Sequence, residues 1–297
     1  MKKLILLTVV LISTFHLSSG QFRSVLARPD SLARFEFRFL RASFEDVEKV
    51  GILSGIYDLA FSYPINKNWG LEVSIPLAFM KYEIENYEYY GYNGGYGGYN
   101  YYLEGDNTIE KNDNGIGNVM MGVRFQKWFT ESRCFQWRGQ LYLPTTTKEE
   151  FDLGQFMLLS DFNDFPKYAQ DVTTAAFLFG YYNNPHRGGF YYVDGGPQFM
   201  VSHDSDVDSE VFVRYAFGGG YNSGTLAVSG ELIGQAIVSE DMDEFNNRFC
   251  SSLNFGVHYT KSFIKPSLFY SVYLKDDINE VVSGVLGVKV AISIASL

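Results

Sequence analysis

The sequence predicts an all-β protein, a transmembrane antiparallel up-and-down β-barrel of about 12 strands. Three observations carry that expectation. The chain opens with an export leader, its long segments alternate apolar and polar residues, and the connections between those segments alternate short and long. Gly115 to Thr147 shows the second feature most plainly. Val119, Met121, Val123 and Phe125 fall on one side of a period of two, with Asn118, Arg124 and Gln126 on the other. After a polar turn, Phe135, Trp137, Leu141 and Leu143 oppose Gln136, Arg138 and Gln140. A period of two is the mark of a strand. Runs near ten residues match strands that cross a bilayer at a tilt, whereas soluble strands average about 5–6 residues.

The leader is read first. Lys2 and Lys3 precede the apolar run Leu4 to Ile12, and Ser18-Ser19-Gly20 supplies small residues for cleavage. Residues 1–20 therefore read as a signal peptide, 21–32 as a periplasmic lead-in and 33–297 as the barrel with its extracellular loops. Gln21, not a cysteine, stands directly after the cleavage point, which disfavours a lipid anchor. Nor does any apolar run reach the length of about 18 residues that a membrane helix needs. Export without membrane helices points to the outer membrane of a Gram-negative cell.

The barrel strands follow in order. The first, Ala33 to Ala42, sets Phe35, Phe37 and Phe39 against Arg34, Glu36 and Arg38. The second, Ile52 to Pro64, carries Asp58 on its polar side, and the third, Trp69 to Tyr82, carries Glu72. Residues 83–114 contain a Gly/Tyr-rich stretch at 87–102, read as a long outer loop that is either a mobile surface or an aromatic binding face. The Gly115 hairpin supplies strands four and five, and Lys148 to Lys167 reads as a second long acidic outer loop. Strand six, Val172 to Tyr182, is too uniformly apolar to assign a facing. Strands seven to twelve follow near Gly189 to Ser202, 210–217, Thr225 to Val238, 248–259, Lys265 to Lys275 and Val281 to Ala295. The connections at 65–68, 130–132, 183–186, 221–224 and 261–264 are short, and every long or acidic loop lies on the other side. Bacterial barrels have short periplasmic turns and longer extracellular loops, so both termini are expected in the periplasm.

Composition narrows the function. Aromatic residues make up 17% of the chain, a load suited to girdles at two bilayer surfaces. The net charge of −10 becomes −12 once the leader is lost, and an acidic chain without a basic stripe is a poor nucleic-acid ligand. Cys134 and Cys250 are expected at opposite ends of the barrel, too far apart to bridge. No cofactor or metal site is expected. The alternating carboxylates of the loop at 203–208 suggest a cation site, but the glycine and distal glutamate of a calcium loop are missing.

The candidate lumen residues are Arg38, Asp58, Glu72, Arg124, Arg138, Asp194, Arg214 and Glu231, with Arg34, Glu36, Glu210 and Arg248 on the same inward faces. Charges of both signs along a narrow lumen fit a path that orients a solute. They equally fit ion pairs that plug and brace the barrel, leaving a structural or adhesive role. An outer-membrane lipid hydrolase needs a histidine beside a serine, and neither His186 nor His258 has a convincing serine at the outer rim. The expected partners are outer-membrane lipid, a small-molecule solute and the barrel-assembly machinery.

Short motifs add a resemblance. Gly115-Ile116-Gly117-Asn118, Ser74-Ile75-Pro76 and Leu143-Pro144-Thr145 are similar to the strand openings and strand prolines of a family of outer-membrane channels. That family is named for transport in the phenol meta-cleavage pathway and is related to the long-chain fatty-acid channels. This chain departs from the pattern at Asn118, where the family has an acid, and at Thr146, where a glycine often follows. The resemblance implies the barrel fold and passive uptake of small molecules, hydrophobic or aromatic ones among them.

Overall fold

A computed structural model describes residues 33–44, 49–84, 109–146, 151–204, 208–239 and 248–294. The expected leader and lead-in, the Gly/Tyr stretch at 87–102 and the middle of the 203–208 loop lie outside them. In chain order the strands are β1 (Ala33–Phe44), β2 (Lys49–Val50), β3 (Gly55–Pro64), β4 (Trp69–Ile84), β5 (Ile109–Ile116), β6 (Val119–Trp128) and β7 (Arg133–Leu143). After an inserted segment come β8 (Val172–Asn183), β9 (Gly188–Ser202), β10 (Glu210–Asn222), β11 (Leu226–Ile237), β12 (Phe249–Tyr259), β13 (Ile264–Tyr273) and β14 (Val282–Ile294).

Twelve of these form a closed antiparallel barrel. Each of β6 to β13 pairs with its successor, β14 pairs with β1, β1 with β3, β3 with β4, and β4 closes on β6. Closure leaves no open edge inside the bilayer. The two remaining strands extend the long-loop end. The short β2 and the longer β5 both pair with the upper part of β4. That part of the chain was expected to be loop, because the polar run at 110–114 shows no apolar face.

Alternation sorts the side chains as the sequence predicts. In β1 every second residue is buried from Arg34 to Ala42, and the outward phenylalanines are partly exposed. Leu71, Phe79, Val123, Phe177, Phe199 and Phe255 are exposed on outward faces, while charged and amide side chains are buried inside. An apolar exterior around a polar interior is the arrangement a lipid surround demands. Near the short-turn end Trp69 packs on Phe125 at 5.0 Å and on Trp137 at 6.2 Å, part of an aromatic belt. Pairing also assigns the facing of β8: Thr174, Ala176 and Leu178 look inward, and Phe177 and Phe179 outward.

One expectation fails. The segment after β7 is not an outer loop; it folds into the lumen as helix α1 (Phe151–Ser160) and a 3-10 turn (Phe162–Lys167). Leu153, Phe156, Met157 and Ser160 recur at the helical spacing and share one buried face. The three apolar ones join Leu40, Ile56, Ala78 and Val285 of the barrel wall in one cluster, and Phe44 stacks on Phe156 at 5.6 Å. Burying three large apolar side chains contributes roughly 1.5–3 kcal/mol each, which outweighs leaving that face in water.

Candidate functional site: the lumen plug and its latch

The inserted segment lowers its polar end to the level of Arg38 on β1 and Asp58 on β3, which are register partners. Arg38 donates to Asp58 at 2.9 Å and to Asp161 at 2.7 Å. Lys167 reaches Asp58 at 2.6 Å and Asp164 at 3.1 Å, and Arg214 from β10 binds the other face of Asp164 at 2.9 Å. Ser74 donates to Asp58 at 2.6 Å, and the Tyr168 hydroxyl donates to Asp161 at 3.3 Å. These six ionic side chains carry three charges of each sign, and none is more than 2% exposed. Removing such charges from water is expensive, so each must keep its partners in place. Burial drives the Asp161 carboxyl above its ordinary range against the pull of Arg38, and Asp164 adds to the rise. Burial, then Asp161, likewise holds the Tyr168 hydroxyl well above its usual value.

A second set of contacts fixes the segment to the wall. β5 and β6 run along β4 as one strand broken at Gly117 and Asn118. The Asn118 backbone N–H donates to the Lys167 carbonyl at 2.6 Å. Its amide nitrogen donates to the carbonyls of Pro166 at 2.9 Å and Ala169 at 2.6 Å. The amide oxygen accepts from Thr145 N and Thr146 N at 3.1 Å and from the Thr146 hydroxyl at 2.7 Å. Gly117 donates to the Pro76 carbonyl at 2.8 Å, and a Cβ at Gly117 would run into the Lys167 carbonyl and the Pro76 ring. The three short motifs singled out in the sequence, around Pro76, Gly117-Asn118 and Pro144-Thr145, thus meet at one knot that holds the plug.

The remaining candidates lie nearer the short-turn end. Arg124 approaches Glu72 at 3.5 Å, and Gln140 donates to the same carboxylate at 3.5 Å. Arg138 is paired with Asp194, which also accepts from Tyr182 at 2.6 Å. Glu231 accepts from Tyr192, whose ring stacks on Tyr182 at 5.7 Å. Lys289 and Arg34 both bind Glu36, at 3.3 and 2.9 Å. The eight candidates therefore all face the lumen, but in separate groups. Arg38, Asp58 and Arg214 surround the plug, while Glu72–Arg124, Arg138–Asp194 and Glu231 line the wall below. Glu210 and Arg248 begin near the long-loop rim, where Glu210 binds Ser239.

Sequence reasoning missed Asp161, Asp164, Lys167 and the role of Asn118. The helical spacing of Leu153, Phe156 and Met157 inside an acidic run was the available signal for the first three. His258 does find a serine: Ser229 lies 2.8 Å from its Nε2, but both are buried in the wall at the short-turn end. Cys134 and Cys250 are buried and unbridged.

No family model matches the sequence, and no curated protein matches it. Solved structures do. The barrel superposes on an outer membrane channel from Pseudomonas putida F1 with a TM-score of 0.58 and 10% identity, covering 93% of this chain and 100% of that one. A second likeness is to the NanC porin, with a TM-score of 0.51 and 8% identity over 88% of this chain and 100% of the porin. At these identities the likeness is one of fold.

Proposed function

We propose that this chain is an outer-membrane channel for passive uptake of small molecules, in which the 151–169 plug sets the route through the lumen. The observation that supports it is how the plug is held. It is an inserted loop between β7 and β8 tied by ion pairs, one asparagine and a patch of apolar packing, with no disulfide to the wall among the described residues. Such contacts keep a lumen closed to bulk flow while leaving the barrel wall itself complete. The fold is one that a channel and a porin use. The apolar exterior suits outer-membrane lipid, and the motifs around Gly117-Asn118 favour hydrophobic or aromatic solutes among the small molecules carried. Insertion by the barrel-assembly machinery accompanies this reading.

A structural or adhesive barrel is the competing reading, and the charge balance of the plug cluster favours it. Planar-bilayer recording on the refolded protein, with liposome swelling, separates the two. Discrete conductance steps that grow when Lys167→Met loosens the plug are expected of a channel. Silent bilayers and unswollen liposomes for both wild type and variant would refute it.

A further inference from the structure

The outer face of the barrel carries a dent. Across β4, β6, β7 and β8, Leu71, Val123, Gly139 and Phe177 lie side by side in register, and in the row above them Leu141 stands beside Ala175. Gly139 and Ala175 present almost no side chain between the exposed ridges of Leu71, Leu141 and Phe177, and a groove of about 490 Å³ results. The ring of Phe177 is braced from behind by Phe199 at 6.4 Å. The floor is the strand backbone at Glu72 and Gln140, whose side chains turn into the lumen and meet there. The wall does not demand the glycine: a Cβ at position 139 would meet only Trp137 and Val123, at 3.5 and 3.6 Å, which is ordinary contact. What glycine supplies here is open space on an apolar, lipid-facing surface.

Towards the short-turn end the next row is aromatic, Trp69, Phe125, Trp137 and Phe179 in register. Beyond it Lys127 of β6 and Arg133 of β7 stand on the same outward faces, and both are exposed. Lys127 lies opposite Phe135, two residues from Arg133, so the two cations are diagonal neighbours roughly 7–8 Å apart at their bases. Among the described residues neither makes an ion pair, and Lys127 stands 5.9 Å over the Phe129 ring. The turn between them holds one acid, Glu131, so the corner keeps a net positive charge. From Val123 to Lys127 is four residues, about 13 Å along the strand and about 10 Å along the membrane normal at the usual tilt. Groove, aromatic row and cation pair thus follow one another at the depths of an acyl chain, a glycerol region and a phosphate.

We propose that this face seats one glycerophospholipid of the leaflet next to the short turns, an acyl chain in the Gly139–Ala175 groove and the phosphate between Lys127 and Arg133. An empty groove forfeits dispersion contact, and in the apolar band acyl chains are what can fill it. Apolar contact alone does not hold one chain against its neighbours, because lipid tails are as apolar as the wall. The cation pair supplies the hold, with the arginine fork matched to phosphate oxygens. A second copy of this chain is a poorer occupant. A two-fold contact through the groove would bring two Lys127–Arg133 pairs together at one depth, like charge against like. The site lies outside the lumen and stands whether or not the barrel conducts.

Trp137, two residues from Gly139 on the same face, provides the readout. The refolded full chain in detergent is titrated with phosphatidylglycerol carrying brominated acyl chains, which quench tryptophan on contact, and with diacylglycerol carrying the same chains. Quenching is expected to saturate at one phosphatidylglycerol per barrel, with diacylglycerol bound about thirtyfold more weakly for want of two cation contacts. Lys127→Gln/Arg133→Gln is expected to weaken phosphatidylglycerol by about the same factor and to leave diacylglycerol unchanged. Gly139→Leu fills the groove and is expected to weaken both lipids about tenfold. Heat-modifiable mobility on a detergent gel checks that each variant is folded. Equal affinity for the two lipids, quenching that never saturates, or unchanged affinity in both folded variants would mean annular lipid only and overturn the proposal. So would a barrel dimer, read by native mass spectrometry, that Gly139→Leu dissociates, since the groove would then belong to a second copy.

Discussion

Asn118 is the position where one side chain decides whether the plug stays docked. Replacing it with Ala deletes five side-chain hydrogen bonds, two to plug carbonyls and three from Thr145 and Thr146. Two of the five reach the plug; at about 0.5–1.5 kcal/mol net for each, with two plug carbonyls left short of a donor, roughly 2–3 kcal/mol of docking is lost. That corresponds to a factor of about 30–150 in the docked fraction. Hydrogen exchange with mass analysis is the direct assay. The amides of Tyr168 and Ala169, which bond to the Phe165 carbonyl, are expected to exchange about 100-fold faster, with the barrel strands unchanged. Asn118→Asp separates the two halves of the argument. It keeps the acceptor for the threonines but turns an ionised oxygen toward the Pro166 and Ala169 carbonyls. Burial and those carbonyls raise its folded-state value, so docking is present in acid and is lost as pH rises through that value. Plug exchange within about twofold of wild type in Asn118→Ala would refute the latch.

Three further outcomes follow from the same geometry. Arg38→Met removes the cation bonded to Asp161 and leaves Asp58 with Lys167 and Ser74; it is expected to cost about 3–5 kcal/mol in urea unfolding, with Asp161→Leu added to it recovering part of the loss. Gly117→Ala is expected to displace the plug without weakening the barrel, read as faster exchange at 161–169 with unchanged heat-modifiable mobility on a detergent gel. Phe156→Ala removes the ring that stacks on Phe44 and is expected to cost about 3–5 kcal/mol of helix docking, measured by exchange across α1.

How far the sequence could be read follows from where a period survives. The barrel strands lie between lipid and a polar lumen, so each records both environments in alternate residues, and β4 from Trp69 or β14 to Ile294 is found to within two residues. β8 hides its facing because its inward Ala176 and Leu178 pack with Met120 and Tyr142 rather than facing charge. β5 is lost because both its faces are polar above the membrane level. The plug was misplaced for a different reason. Its acidic residues look like solvated loop, and only their burial against Arg38, Lys167 and Arg214 shows that each has a counter-charge waiting.

That counter-charge also explains why the lumen candidates do not act as one ladder. Arg38 and Asp58 were read among charges of both signs along one path; they are neighbours on paired strands, and the space between them and Arg214 is filled by Asp161, Asp164 and Lys167. A solute moving past the plug must therefore either exchange with one of these carboxylates or avoid them. Exchange asks a buried ion pair to break for each passage, which costs several kcal/mol before any solute contact is gained. Loosening the plug, as in Asn118→Ala or Lys167→Met, lowers that cost, and conductance that stays at the wild-type level in both variants would refute the plug as the barrier.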